Sequence, residues 1–152
     1  MGTEIEAFVE YDVSARSWRY FHPDPSDQPP PPFSGDIHSV SKQSGLFTGS
    51  KDYRFFGAIA GVRNETGIEP LVPPRGLPTT LSRPLCWYLE DDTLGDYDTS
   101  WLRLSEINAA LDHQRVDRTL LGFETHTILG IMENLVARLG DERVRLVFGF
   151  FS

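Results

Sequence analysis

Apolar and polar side chains alternate near the start of the chain. In residues 5–12, I-E-A-F-V-E-Y-D, the apolar positions Ile5, Ala7 and Val9 alternate with Glu6 and Phe8. Successive side chains of a strand face opposite sides, so this period of two predicts a strand with one buried face. Residues 17–22, S-W-R-Y-F-H, are predicted to pair with it as a hairpin.

The apolar pattern changes to a helical period after residue 50. Ser50 can cap a helix whose first turn contains Asp52, and Gly61 or Asn64 can end it in the left-handed conformation. A wide apolar face at helical spacing is formed by Tyr53, Phe55, Phe56, Ile59, Ala60 and Val62. This stretch therefore predicts a helix that packs against the core.

Two more helices and a closing strand are predicted further along the chain. The helical period returns over residues 101–113 and, most clearly, over residues 125–139. Residues 141–152, D-E-R-V-R-L-V-F-G-F-F-S, form a nearly continuous apolar run, which is typical of a central strand covered on at least one face. Residues 86–91 suit a short strand, and residues 92–100 an acidic loop.

The order of these elements predicts an α+β fold. Helices would pack on a mostly antiparallel sheet, with the N-terminal and C-terminal strands in the same sheet. A length of 152 residues fits a single domain over residues 1–152. Prolines crowd the segment at about residues 22–34, which we expect to be a surface loop because proline cannot donate a ladder hydrogen bond.

Composition excludes several classes of function. The formal net charge is −8, and the cations are two lysines and twelve arginines scattered along the chain. General binding to nucleic acid needs clustered lysine and arginine, so neither nucleic-acid binding nor binding to anionic membranes is expected. The single cysteine, Cys86, excludes an internal disulfide, and no apolar run is long enough to span a membrane. We expect a cytoplasmic protein.

No catalytic motif is found. Gly57 and Gly61 lie four positions apart and are followed by Val62 and Arg63, which does not match a phosphate-binding loop. No G-x-S-x-G motif occurs, and the four histidines show no triad or metal spacing. We therefore assign no catalytic residue, no metal ligand and no cofactor, and we favour non-enzymatic binding.

Two groups of residues can still hold a ligand. Arg54, Arg63 and Arg75 lie near the helix and the proline-rich segment after it, and Tyr53 and Trp101 can stack on a ring. Arginine binds phosphate or carboxylate through two parallel hydrogen bonds, so these five residues predict a site for an anionic ring-bearing ligand. The alternative is that each arginine forms a salt bridge with one of the many acidic residues.

An acidic cluster is the second group. Its members are Glu90, Asp91, Asp92, Asp96 and Asp98. Carboxylates in a loop can bind Mg²⁺ or Ca²⁺, although a solvated acidic loop explains the same pattern. If the loop did bind a metal, a metal-assisted phosphoesterase would be the alternative function.

Four stretches resemble a family of small, functionally uncharacterised proteins of bacteriophages and prophages. They are D-Y-R-F-F-G-A-I-A-G-V-R-N, P-P-R-G-L-P, D-T-S-W-L-R-L-S-E-I and V-R-L-V-F-G-F-F. Two positions depart from the family pattern. Arg103 replaces a threonine that would complete a capping box with Glu106, and a histidine before S-W-L is absent.

The resemblance implies a phage-type role. By analogy with small phage proteins that sequester signalling nucleotides, we expect a small-molecule or partner-binding protein that antagonises host defence. Its partner would be a small anionic ligand or, as the alternative, a host protein that it inhibits. A homo-oligomer is compatible with either role.

Overall fold

The computed structural model describes residues 3–14, 17–21, 51–64, 66–82, 85 and 97–151. The described elements are β1 (Glu4–Asp12), β2 (Trp18–Tyr20), α1 (Tyr53–Ala60), β3 (Tyr97–Leu102), α2 (Leu104–His113), α3 (Phe123–Leu139) and β4 (Val144–Phe151). Single 3₁₀ turns span Arg118–Leu120 and Asp141–Arg143. The proline-rich segment at 22–34 and the predicted strand at 86–91 lie outside the described residues.

The four described strands form one antiparallel sheet in the order β2-β1-β4-β3. Strands β1 and β4 pair along almost their whole length, from Glu4 opposite Phe151 to Tyr11 opposite Val144. The fold is α+β, and the prediction that the first and last strands share one sheet is confirmed. Both strands are central, as the apolar run of β4 indicated.

The three described helices cover one face of the sheet with a continuous apolar core. The sheet contributes alternate residues of β1 and β4, for example Val9, Leu146 and Phe148. The helices contribute Phe56 of α1 and Ile107 of α2, among others. Phe56 makes edge-to-face contacts with the rings of β4, including Phe148 at 6.0 Å between ring centres. Phe55, Phe56 and Ile59, which were among the apolar positions predicted for the first helix, are buried.

The opposite face of the sheet is also covered, which corrects the prediction that β1 buries only one face. Phe8 and Val147 pack with Leu85 in a second, smaller apolar cluster. Glu10 on the same face is fully buried, because Arg145 lies directly opposite it on β4. Leu81, Ser82 and Leu85 lie over this face.

Strand β3 was not predicted. Residues 92–100 were expected to form an acidic loop and residues 101–113 a helix, but Trp101 and Leu102 belong to a strand and the helix begins at Leu104. The strand is irregular, because its pairing with β4 shifts register between Tyr97 and Ser100 and Asp98 has a positive φ of 53°. Because of this bulge at the sheet edge, the sequence of β3 does not show the period of two that a regular strand has.

Helix α1 is held at both ends. Asp52 is its N-cap, accepting from the amide of Phe55 at 3.2 Å, whereas the expected cap, Ser50, lies outside the described residues. Gly61 ends the helix with a φ of 79°, as the sequence indicated, because glycine adopts this conformation without strain. The other oxygen of Asp52 accepts from the amide of Gly122 at 2.8 Å and from the hydroxyl of Thr125 at 2.6 Å. One carboxylate therefore ties the start of α1 to the start of α3.

Candidate functional site

A cleft of about 910 Å³ runs along the exposed side of α1. Helix α1 forms its floor, and two walls lie beside it: Arg63, Asn64 and Thr66 after α1, and residues 114–117 after α2. The walls meet at one end, where Thr66 and Gln114 are joined by a hydrogen bond of 2.9 Å. Its lining consists of Lys51, Asp52, Tyr53, Arg54, Gly57, Ala58, Arg63, Asn64, Thr66, Gln114, Arg115, Val116 and Asp117.

The lining is positively charged although the protein is acidic. Among the described residues, four cations line the cleft, Lys51, Arg54, Arg63 and Arg115, against the two carboxylates of Asp52 and Asp117. We call this feature the cationic cleft. It carries a net charge of the opposite sign to the whole chain, which has a formal charge of −8.

Both carboxylates of the cleft are engaged by hydrogen-bond donors of the protein. Asp52 caps α1 and binds the start of α3 as described above. Asp117 accepts from the amide and the hydroxyl of Thr119, at 3.0 and 2.6 Å. These hydrogen bonds, with the nearby charge of Arg54, lower the pKa of Asp117 below its ordinary value. The four cations are therefore the groups of the cleft best suited to meet an anion.

Two of the cations lie at backbone positions that disfavour a side chain. Arg63 and Arg115 have φ values of 45° and 55°, in the left-handed region. Each follows the end of a helix, α1 or α2, where the chain turns away from the helix axis. A non-glycine residue in this conformation costs about 1 kcal/mol or more. The two walls thus each carry one arginine on a strained turn.

Arg63 and Tyr53 are fixed by the beginning of β1. The guanidinium of Arg63 lies 5.3 Å from the centre of the Tyr53 ring and donates to the hydroxyl of Thr3 at 3.3 Å. The Tyr53 hydroxyl accepts from the Thr3 amide at 3.1 Å and donates to the Thr3 carbonyl at 3.2 Å. These contacts orient the arginine along one wall but leave its side chain largely exposed.

Arg54 belongs to α1 itself. It donates to the carbonyl of Leu120 at 3.2 Å, which directs the side chain toward the 3₁₀ turn before α3. Within the described part of the chain, neither Arg54 nor Arg115 forms a direct ion pair. No described carboxylate is in contact with either guanidinium group, so an anion could bind there without displacing a carboxylate.

Arg75 and Trp101, the other two predicted ligand-binding residues, lie elsewhere. Arg75 forms a bidentate ion pair with Glu106 and stacks on the Trp101 ring with its guanidinium carbon 4.5 Å from the ring centre. Its amide donates to the Ser100 hydroxyl at 3.0 Å, and Gly76 donates to the Thr99 carbonyl at 2.9 Å. The P-R-G-L-P turn is thereby attached to the S-W-L segment, and neither Arg75 nor Trp101 lines the cationic cleft.

Glu106 joins this turn to the start of α2. Partial burial raises the pKa of Glu106, but hydrogen bonds from the Arg75 side chain and the Arg103 amide outweigh it and lower the pKa below the ordinary value. The amide of Arg103 donates to Glu106 at 3.0 Å, so half of a capping box persists although an arginine replaces the threonine. Arg75 therefore forms a salt bridge with an acidic residue, which was the alternative to ligand binding for the three arginines.

Lys51 and Arg115 were not among the residues predicted from sequence. Lys51 directly precedes the helix cap, so its nearness to Arg54 could have been inferred from the helix itself. Arg115 is 52 positions from Arg63, and the packing of α1 beside α2 places both on one cleft. No local signal in the sequence indicates that proximity.

The acidic cluster falls mostly outside the described residues, since only Asp98 of its five members is described. Among the described residues, no group of three or more side chains could hold a metal ion together. None of the described helices is both long and apolar enough to cross a lipid bilayer. The cationic cleft is the site that the described geometry supports.

Comparison with known proteins adds no relative: no family model, no curated protein and no solved structure matches the chain. The class of protein is therefore defined by its own fold and site. It is an α+β protein with a cationic cleft between two helix ends.

Proposed function

We propose that the protein is a small binding protein that captures an anionic, ring-bearing small molecule in the cationic cleft. The observation that carries the proposal is the convergence of four cationic side chains on one cleft of an otherwise acidic chain. Guanidinium groups hold phosphates through charge-assisted hydrogen bonds, so the chemical class that fits best is a phosphate-bearing, nucleotide-derived molecule.

Three features of the cleft support this class of ligand. Its volume lies within the range of about 300–1,000 Å³ that is usual for small-molecule sites. Its three arginines come from separate parts of the chain, Arg54 from α1, Arg63 from the turn after α1 and Arg115 from the turn after α2, so several guanidinium groups line one cleft. Finally, Arg63 and Arg115 maintain strained backbone conformations, and such strain is concentrated at functional sites in proteins.

The biological role we propose follows from the resemblance to phage and prophage proteins. A phage-type protein of this kind would sequester a signalling nucleotide in the host cytoplasm and so antagonise host defence. The motif D-Y-R-F-F-G-A-I-A-G-V-R-N, which is part of that resemblance, supplies Tyr53, Arg54 and Arg63 of the cleft.

Calorimetric titration with cyclic di- and trinucleotides and ADP-ribose derivatives tests the proposal. We expect saturable binding of at least one compound that weakens as salt is added, because charge pairing supplies much of the affinity. Arg63→Gly and Arg115→Gly should each weaken binding by roughly tenfold or more, since a hydrogen bond to a charged group contributes about 1.5–3 kcal/mol.

The glycine substitutions separate binding from folding. Glycine relieves the left-handed strain but adds freedom to the unfolded chain, so stability should change by less than about 1 kcal/mol. Asp98→Gly is the matched control, because Asp98 has the same kind of φ and lies outside the cleft. The proposal is wrong if no compound binds, or if both arginine variants bind as tightly as the Asp98→Gly control.

The same preparation distinguishes the two alternatives. Intact ligand recovered after long incubation with Mg²⁺ or Mn²⁺ argues against a metal-assisted phosphoesterase for that ligand. A host protein that is captured from lysate in a stoichiometric amount, and that none of the nucleotides displaces, would favour an inhibitor of a host protein instead.

A further inference from the structure

Two apolar side chains stand exposed beside the cationic cleft. Phe123, the first residue of α3, is 86% exposed, and Leu120, in the preceding 3₁₀ turn, is 55% exposed. Burying a phenylalanine normally stabilises a fold by about 1.5–3 kcal/mol, and at this exposure almost none of that is gained. The fold therefore supplies no reason for an aromatic side chain at position 123.

The segment that carries these residues is attached directly to the lining of the cleft. Arg54 donates to the Leu120 carbonyl at 3.2 Å, and the Gly122 amide donates to Asp52 at 2.8 Å. Both Arg54 and Asp52 line the cleft. Phe123 directly follows Gly122 in the chain, so it is the next residue after one that is hydrogen-bonded to the cleft lining.

The two rings predicted to stack on a ligand are already in contact with arginines. Tyr53 has Arg63 over its ring at 5.3 Å and uses its hydroxyl to bind Thr3. Trp101, outside the cleft, lies near Arg75 at 4.5 Å and Arg145 at 5.9 Å. Among the described residues, Phe123 contacts no other ring and no cation, so both faces of its ring remain open to a planar group.

We infer that Phe123 is the ring-binding residue of the cleft, on which a nucleobase stacks while the phosphate of the same molecule is held by Arg54 and the neighbouring cations. This inference rests on the proposed function and narrows its ligand to a nucleotide, a molecule with a flat base and a phosphate. Stacking on an aromatic side chain tolerates any base, because every base has a π-face.

A pair of probes that differ only in the base tests the inference. AMP and ribose 5-phosphate carry the same phosphate and sugar, and each is titrated into the wild-type protein and into Phe123→Ser. We expect AMP to bind the wild type roughly tenfold more tightly than ribose 5-phosphate, because stacking contributes about 1–3 kcal/mol per base. Phe123→Ser should remove that difference and leave the affinity for ribose 5-phosphate unchanged.

The control is Val13→Ser, a similar loss of an exposed apolar side chain at the far end of β1 from Thr3. It should bind both probes as the wild type does. Because both side chains are exposed, neither substitution should shift the thermal midpoint by more than about 1–2 °C, so a change in affinity does not reflect unfolding.

The outcomes separate this inference from the proposed function. If Phe123→Ser retains the tenfold preference for AMP, the role of Phe123 is wrong while the cationic cleft stands. If the wild type binds neither probe, the nucleotide class and the role of Phe123 both fail. If wild-type protein sediments as a dimer that Phe123→Ser dissociates without nucleotide, the exposed ring is an interface between two copies, and the inference is again overturned.

Discussion

At the scale of single residues, Arg63 and Arg115 show how the cleft obtains its charge. Each lies just beyond a helix end with a positive φ, where glycine or asparagine would be less strained. Left-handed residues after helices turn the chain sharply, and here the turn directs each side chain toward the space above α1. The strain is thus found at the two positions that contribute the arginines of the walls.

The pairing of Arg75 with Glu106 makes folding stability depend on pH. The folded-state pKa of Glu106 is lowered by its hydrogen bonds, so its stabilising contribution is complete above the unfolded pKa and is lost as the pH falls through the folded value. In wild-type protein, urea midpoints measured from about pH 6 down to pH 3 should fall more steeply than in Glu106→Gln. The difference should stay below about 1 kcal/mol, because the pair is partly exposed to solvent.

Glu133→Gln is the control for this measurement. Glu133 is an exposed glutamate of α3 and forms none of the ion pairs found among the described residues. Its variant should follow the wild-type curve between pH 6 and pH 3. Parallel curves for wild type and Glu106→Gln would show that the ion pair does not contribute to acid sensitivity.

The sequence predicted part of the site at this scale. Tyr53, Arg54 and Arg63 belong to one short stretch, so helical geometry alone keeps them near one another. Arg75 carries the same charge, but Glu106 neutralises it, and that partner is 31 positions away in the chain. The availability of an arginine depends on such distant partners, which residue type and spacing do not reveal.

At the scale of elements, Asp52 joins two helices through one carboxylate. It caps α1 with one oxygen and binds the amide and hydroxyl at the start of α3 with the other. Both helix starts carry unpaired amides and the positive end of a helix dipole, which a carboxylate satisfies. The relative position of α1 and α3 beside the cleft therefore depends on this one side chain.

Replacing Asp52 should destabilise the protein markedly. Asp52→Ala removes a helix cap, which contributes about 0.5–2 kcal/mol, and leaves the Gly122 amide and the Thr125 hydroxyl without their acceptor. We expect a loss of about 2–4 kcal/mol in the free energy of unfolding, measured by urea denaturation.

Asp117→Ala is the matched comparison, because Asp117 caps only a single exposed 3₁₀ turn. It should destabilise the protein clearly less than Asp52→Ala does. Asp52→Asn, which keeps one acceptor oxygen for the α1 cap, should lie between the two. Equal losses for Asp52→Ala and Asp117→Ala would contradict the role given to Asp52 as the joint between α1 and α3.

Strand β3 shows why the elements were only partly predictable. Strand β1 and helix α3 were recognised from their regular apolar periods, and β4 from its nearly continuous apolar run. In β3 the residues Asp98 and Thr99 interrupt that repeat, and the register shift moves the pairing at the sheet edge. A bulged edge strand forms because β4 offers it hydrogen bonds, which the sequence of β3 does not show.

At the scale of the whole molecule, one polar row crosses all four strands on the face opposite the helices. Arg145 of β4 pairs with Glu10 of β1 at 2.7 Å and lies between the rings of Trp18 of β2 and Trp101 of β3, at 3.7 and 5.9 Å. Glu10 also accepts from the Ser82 amide at 2.6 Å, and Arg145 donates to the Thr80 carbonyl. The row therefore attaches the covering segment, which contains Thr80 and Ser82, to every strand of the sheet.

Breaking this row on one side should cost more than removing it. Glu10→Leu alone leaves the Arg145 charge buried without its partner, and Arg145→Met alone leaves Glu10 in the same state; each should cost about 3–5 kcal/mol in urea unfolding. Burial lowers the pKa of Arg145, but the Glu10 carboxylate opposes that shift, as expected for a pair that keeps both charges.

The double variant Glu10→Leu with Arg145→Met tests the coupling. It should be more stable than the sum of the single losses implies, because neither charge is left unpaired. Recovery should be incomplete, since the Ser82 amide and the Thr80 carbonyl lose their partners in the covering segment. Strictly additive losses would mean that the two charges do not depend on each other.

The pairing of β1 with β4 has a consequence for how the protein is made. Glu10 and Arg145 face each other from positions 135 residues apart, and the two strands between them form the middle of the sheet. On the ribosome, β1 emerges first but has only β2 beside it, and an isolated two-stranded hairpin is marginally stable in water. The helices likewise lack a complete sheet face until β4 appears. Order of synthesis and order of folding are thus opposed: the apolar faces of the helices stay uncovered until β4, the last of the described strands to be made, has been synthesised.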